Sequence, residues 1–141
     1  MKFQYSSTLQ TNTKGGFVKK PVVELELLGK GKTVKALGLI DSGADTTLMN
    51  IEYARELGIE LDSNSRKDFV GISAERIPCY ISSVVLKVKH FDTAVTTPVA
   101  FIDSPSVDIL LGQEDFFERF RIKFEKDHNV FELTLSPKAK N

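Results

Sequence analysis

The sequence predicts an all-β domain with one or two short helices, on three observations. Apolar and β-branched runs of four to nine residues recur along the chain, separated by Gly, Pro, Asn and Asp turn signals. Only one segment combines helical spacing with recognisable caps at both ends. A length of 141 residues suits a single core and falls well short of two lobes.

Residues 1–19 read as a polar N-terminal arm, although Phe3, Tyr5 and Leu9 alternate as an edge strand at a subunit interface would. From Pro21 the strands begin. Val22 to Leu28 is one, Gly29-Lys30-Gly31-Lys32 is a hairpin-like turn, and Thr33 to Ile40 is the next, ending at Asp41. Asn50 is placed to cap a short helix over Ile51 to Leu57, which shows Ile51, Ala54 and Leu57 on one face and stops at Gly58. Ser63 to Asp68 is polar, and Phe69 to Ile77 reads as two strand ends around a small-residue tip. Ile81 to His90 and Thr93 to Ile102 are β-rich, with Asp103-Ser104-Pro105-Ser106 as the following turn. Val107 to Gly112 precedes a short helix expected over Gln113 to Phe120. Arg121 to Glu125 and Val130 to Leu135 close the chain as a hairpin around Asp127-His128-Asn129. The expected organisation is thus an arm over 1–19, one domain over 20–135 and a tail over 136–141.

Nineteen basic and nineteen acidic residues balance, so global charge argues for neither nucleic acid nor an acidic membrane as a partner. The distribution is uneven. Residues 1–40 hold seven lysines against two acids, a net +5, and the rest twelve basic against seventeen acidic residues, a net −5. Two readings stay open: an electrostatic contact between the segments, within or between subunits, and a solvated basic arm. A single cysteine, Cys79, excludes an intrachain disulfide, and its neighbours Pro78 and Tyr80 suggest a structural strand position. The first residues lack a signal-peptide core and no run approaches a membrane span, so a cytoplasmic protein is expected.

The chemistry-bearing segment is Gly38-Leu39-Ile40-Asp41-Ser42-Gly43-Ala44-Asp45-Thr46-Thr47-Leu48. It places one carboxylate in a tight turn directly after an apolar run. Gly43 permits the turn and close approach by a ligand, and Ser42 can bond locally. An Asp-Ser/Thr-Gly tripeptide alone is weak evidence, since about one in fifteen chains of this length would carry it by composition. The order matters more: Asp-Ser-Gly-Ala-Asp-Thr-Thr, then Gly71-Ile72 in a hairpin, then Ile109-Leu110-Leu111-Gly112.

That order, over most of residues 17–125, resembles the retropepsin family of retroviral and retroviral-like aspartic proteases. The resemblance implies a single-lobe closed barrel, active as a homodimer because each chain supplies one carboxylate of the pair. It implies that Asp41 is the catalytic acid and that Ser42 bridges the two active-site loops across the dimer axis, with Gly43 and Thr46 supporting the loop. Gly43 and Asp45 match positions that bond the substrate backbone, Leu48 and Leu110 join the substrate-binding set, and Gly71 and Ile72 match the flap tip. Leu110 to Gly112 match the apolar-apolar-Gly segment beneath the loop. Lys20, before Pro21, matches a basic residue that reaches the Asp45 equivalent of the other subunit. The implied activity is that of an aspartic endopeptidase on peptide or protein substrates. A catalytically silent dimer that binds peptides or partners is the alternative.

The chain departs from retroviral relatives in three places. Ser73-Ala74 follow the flap tip where those enzymes have more glycine; Gln113-Glu114 follow Gly112 where they usually have Arg and then Asn or Asp; and the C-terminal hairpin is longer. Ion pairing behind the active site must therefore differ. Rival chemistries lack material. One Cys and two distant histidines, His90 and His128, make no metal or thiol-protease set, and neither metal nor organic cofactor is implied. Ser42 lies outside a nucleophile elbow, Gly29 to Lys32 lacks the P-loop pattern, and Phe116, Phe117 and Phe120 have the spacing of core.

Overall fold

The computed structural model describes residues 1–70 and 74–137. The expected flap tip, Gly71 and Ile72, lies outside the described residues. Twelve strands occur among those described: β1 (Lys2–Gln4), β2 (Ser6–Thr11), β3 (Phe17–Lys20), β4 (Val22–Gly29), β5 (Lys32–Ile40), β6 (Leu48–Asn50), β7 (Arg66–Val70), β8 (Arg76–Val88), β9 (Ala94–Ile102), β10 (Ile109–Leu111), β11 (Phe120–Glu125) and β12 (Val130–Leu135). One α-helix, α1, covers Ile51–Leu57.

The order β4-β5-β10-β6-β9-β8, with β8 also paired to β4, closes a barrel, and β7 hangs from the outer edge of β8. Alternation fills it. Val23, Leu25 and Leu27 of β4 point inward between exposed or half-buried Glu24 and Glu26, and Val84, Leu86 and Val88 of β8 and Val95, Val99 and Phe101 of β9 meet them. Burying each such side chain contributes roughly 1.5–3 kcal/mol, which is what makes the register specific.

The capped helix forms as its sequence suggests. The Asn50 side chain accepts from the Glu52 amide at 3.0 Å, and Gly58 adopts φ 69°, its amide donating to the Arg55 carbonyl at 3.2 Å. Ile51, Ala54 and Leu57 are buried against the core. The β4–β5 and β11–β12 hairpins also stand where the sequence puts them.

Four features differ from the sequence expectation. Residues 1–19 are not simply an arm: β1 pairs with β12 of the same chain, stacking Phe3 on Phe131 at 5.2 Å, and β2 pairs with β3 as a hairpin. The boundary at residue 20 therefore falls inside β3. The polar stretch after Asp62 holds one 3₁₀ turn over Ser63–Ser65 and then β7, whose five residues are all exposed and so carry no alternation to read. The strand end expected up to Ile77 and the strand expected from Ile81 are one continuous strand, β8, running from Arg76 through Pro78 to Val88. The helix expected over Gln113 to Phe120 is a kinked π-type turn over Gln113–Phe117, after which Phe120 already opens β11. The amides of Gln113 and Glu114 donate to the carbonyls of Ala44 and Asp45, each at 2.8 Å, which holds Glu114 at an extended ψ of 123° and delays helical geometry past Asp115 at φ 68°.

Candidate active site

Strand β5 runs parallel to β10, with Leu39 opposite Leu110 and Ile40 opposite Leu111. The Asp41 amide continues the ladder by donating to the Leu111 carbonyl at 3.0 Å. There the chain turns. The Gly43 amide donates to Asp41 Oδ1 at 2.9 Å and the Ala44 amide to the Asp41 carbonyl at 3.2 Å, so the carboxylate is built into its own turn. No hydrogen bond among the described residues engages Oδ2.

The returning chain is fastened to the segment after β10. Thr47 is fully buried, and its Oγ1 accepts from the Gly112 amide at 3.1 Å. Its carbonyl accepts from the Ala100 amide at 2.9 Å, leading into β6, which lies parallel to β9 and antiparallel to β10. Thr46 Oγ1 donates to Glu114 Oε2 at 3.3 Å, and Gln113 Nε2 donates to the Ser42 carbonyl at 2.8 Å. Gly112 has no room for a side chain: a Cβ there would lie 2.7 Å from the Thr46 carbonyl carbon and oxygen and 2.8 Å from the Ala44 carbonyl oxygen.

Asp41 opens onto a cleft of about 550 Å³. Gly43, Ala44, Asp45 and Thr46 share its floor with Asp41, Leu48, Ala100 and Leu110 form an apolar wall, and β7 and β8 contribute Lys67, Phe69, Cys79 and Ile81 from the other side. The cleft thus combines an apolar wall with the charged side chains of Asp41, Asp45, Lys67 and Asp68. Burial pushes the Cys79 thiol above its ordinary value, against a smaller lowering by the Lys67 backbone and ammonium, so this is a structural cysteine and not an activated one. Behind the loop, Arg119 Nε meets Asp115 Oδ1 at 2.7 Å in a half-buried ion pair. Among the described residues no group of three His, Cys, Asp or Glu could hold a metal ion.

Of the residues read from the sequence, Asp41, Gly43, Asp45, Thr46, Leu48 and Leu110 come together around one cleft. Ser42 stands exposed beside it, held through its carbonyl. Lys20 lies half-buried at the end of β3, outside the cleft lining, and forms no ion pair with Asp45 among the described residues of the chain. Sequence reasoning missed the roles of Thr47, Lys67, Phe69 and Ala100. Thr47 alone carried a signal, a polar residue at an inward-facing position between Asp45 and Met49. The others depend on the pairing of β7 with β8 and of β8 with β9, which sequence spacing does not encode.

Comparison with known proteins agrees with this geometry. Across 93% of this chain and 97% of the other, the fold superposes with a TM-score of 0.60 at 14% identity on a retropepsin-like aspartic protease from Rickettsia conorii. The EIAV protease, complexed with the inhibitor HBY-793, matches with a TM-score of 0.55 at 18% identity over 78% of this chain and 92% of that one. The retroviral protease-like domain of Ddi1 from Leishmania major matches at 0.54 and 18% identity over 83% and 95%. At such identities the likeness is one of fold. No curated protein sequence matches the chain. The sequence model for aspartyl proteases matches residues 23–114, the span from the first barrel strand through Asp41 to the Glu114 that braces its turn, and the chain belongs to that family, with a retropepsin-like fold.

Proposed function

We propose that two copies of the chain assemble an aspartic endopeptidase, each donating one Asp41 to a dyad on the two-fold axis. The observation that carries this reading is the Asp41 turn itself, where one carboxylate oxygen is held by the Gly43 amide and the residue faces a cleft sized for a peptide. One carboxylate is half of the machinery, so the reading requires a homodimer.

The mechanism follows from placing two carboxylates together. At a separation of about 3 Å and an effective dielectric near 20, two ionised carboxylates repel by about 5 kcal/mol, so the pair keeps one proton, as is general for aspartic proteases. The ionised member takes a proton from a water as it attacks the scissile carbonyl, and the protonated member hydrogen-bonds the developing oxyanion. The proton then reaches the leaving amine, and the roles exchange between identical residues. Gly43 and Asp45 on the cleft floor bind the peptide backbone, and Leu48, Ala100 and Leu110 bind its apolar side chains. No cofactor enters the scheme. A cytoplasmic location and the contact of Lys20 with Asp45 of the second copy belong to the same proposal; among the described residues no helix is long and apolar enough to cross a membrane.

Cleavage of a peptide library by the purified chain tests the reading, with Asp41→Asn alongside. Products from the wild type and none from the variant support the enzyme. A dimer that binds peptides without cutting them would instead identify the silent module.

A further inference from the structure

The turn that carries Asp41 is fastened unevenly. Its entry is held by the bond from the Asp41 amide to the Leu111 carbonyl, and its exit by the amides of Gly112, Gln113 and Glu114, which donate to Thr47 Oγ1, the Ala44 carbonyl and the Asp45 carbonyl. Between these anchors lie Ser42 and Gly43. The Gly43 amide bonds back to Asp41, a contact inside the turn that does not tie it to the barrel. Among the described residues, one hydrogen bond reaches this tip from outside: Gln113 Nε2 to the Ser42 carbonyl, at 2.8 Å.

We propose that Gln113 is a positioning residue for the reaction, fixing the tip of the Asp41 turn through the Ser42 carbonyl. The inference rests on the reading of Asp41 as one half of a dyad. In a symmetric pair the two tips meet at the axis, so the place of Ser42 sets the separation of the two carboxylates, and small displacements of reacting groups are costly in rate. A glutamine suits the task. Its amide nitrogen donates, the carbonyl it meets accepts, and it adds no charge beside a dyad that must share one proton. The backbone of residues 112–114 is already committed to residues 44–47, so only the side chain is free to extend to Ser42.

The test uses Gln113→Glu, which keeps the length and cannot donate when ionised, and Gln113→Met, which keeps the bulk without polarity. Gln113 is exposed, so both variants should melt close to the wild type. Two measurements are made on the full chain. The first is amide exchange by NMR at Gly43 and Ala44, which needs no activity and should speed up by about two- to tenfold, the span expected for one net hydrogen bond, while the amides of β10 stay unchanged. The second is steady-state cleavage, where kcat should fall by about fivefold in both variants with KM within about twofold. The acid limb of the pH profile should move upward in Gln113→Glu alone, because the added carboxylate disfavours ionisation of the dyad. Faster exchange in both variants of a chain whose wild type is inert would leave the tie to Ser42 standing but overturn its role in a reaction together with the endopeptidase reading. Unchanged exchange, or faster exchange with unchanged kcat in an active enzyme, would overturn the positioning role and leave the endopeptidase intact.

Discussion

The Thr47 hydroxyl accepts a hydrogen bond from the Gly112 amide at 3.1 Å across sixty-five residues of sequence, and both partners are buried. It joins the far side of the Asp41 turn to the end of β10. Thr47→Val should leave the Gly112 amide buried without a partner, at a cost of about 1–3 kcal/mol. Urea unfolding should show a lower midpoint with an unchanged slope, and Thr47→Ser, which restores the acceptor, should recover much of it. An unchanged midpoint in Thr47→Val would show that the bond contributes nothing.

Gly112→Ala tests the close approach on the other side of the same bond. A methyl group within 2.8 Å of backbone atoms of Ala44 and Thr46 cannot be accommodated by a side-chain rotation. The expected loss is at least the 1–3 kcal/mol typical of overpacking, about the same or more, and it should be accompanied by lost cleavage because the displaced atoms belong to the Asp41 turn. Measured unfolding free energies equal to the wild type would contradict the packing described.

A pH test comes from Tyr53 on α1, whose hydroxyl donates to Asp108 Oδ1 at 2.5 Å. Burial first, then this bond and the Asp108 charge, raise the Tyr53 hydroxyl far above its ordinary value. A raised folded value means that the neutral phenol is the form the fold stabilises. That contribution is complete below the unfolded value of about 10 and declines as pH climbs from there through the folded value. The stability advantage of the wild type over Tyr53→Phe should therefore be constant at neutral pH and shrink above about pH 10. Parallel stability curves through the alkaline range would contradict it.

The proposed contact between Lys20 and Asp45 of the second copy is read from the dimer dissociation constant, since Asp45 also lines the cleft. If the pair is shielded from water, Lys20→Ala should weaken dimerisation by more than the roughly 0–1 kcal/mol of an exposed pair. The double variant with Asp45→Ala should then be less harmful than the sum of the singles. Strict additivity would remove the contact.

What could be read from sequence was local. The Asn50 cap, the Gly58 stop and the Gly29 to Lys32 turn each place their own chemistry within a few residues, and Asp41-Ser42-Gly43 announces its turn the same way. What could not be read was set by distant partners. β7 is exposed along its whole length and shows no alternation, so Lys67 and Phe69 reach the cleft only because β7 pairs with β8. The helix expected from Gln113 fails at its start because the amides of Gln113 and Glu114 are drawn to Ala44 and Asp45, and local propensity loses to those two bonds. Phe3 and Tyr5 alternate as an interface strand would, yet both rings pack on Phe131 of the same chain, a pattern that an intrachain and an intersubunit partner would produce alike.

The measurement closest to the central claim is cleavage of one susceptible peptide by wild type, by Asp41→Asn, and by an equimolar mixture of the two in which subunits have been allowed to exchange. If each site needs Asp41 from both copies, the variant is inactive though folded and dimeric, and the mixture retains about one quarter of its dimers, and hence of its dimer-normalised activity, as the fully wild-type pair. Activity comparable to wild type in Asp41→Asn, or a mixture that retains half, as independent single-chain sites would, contradicts the account.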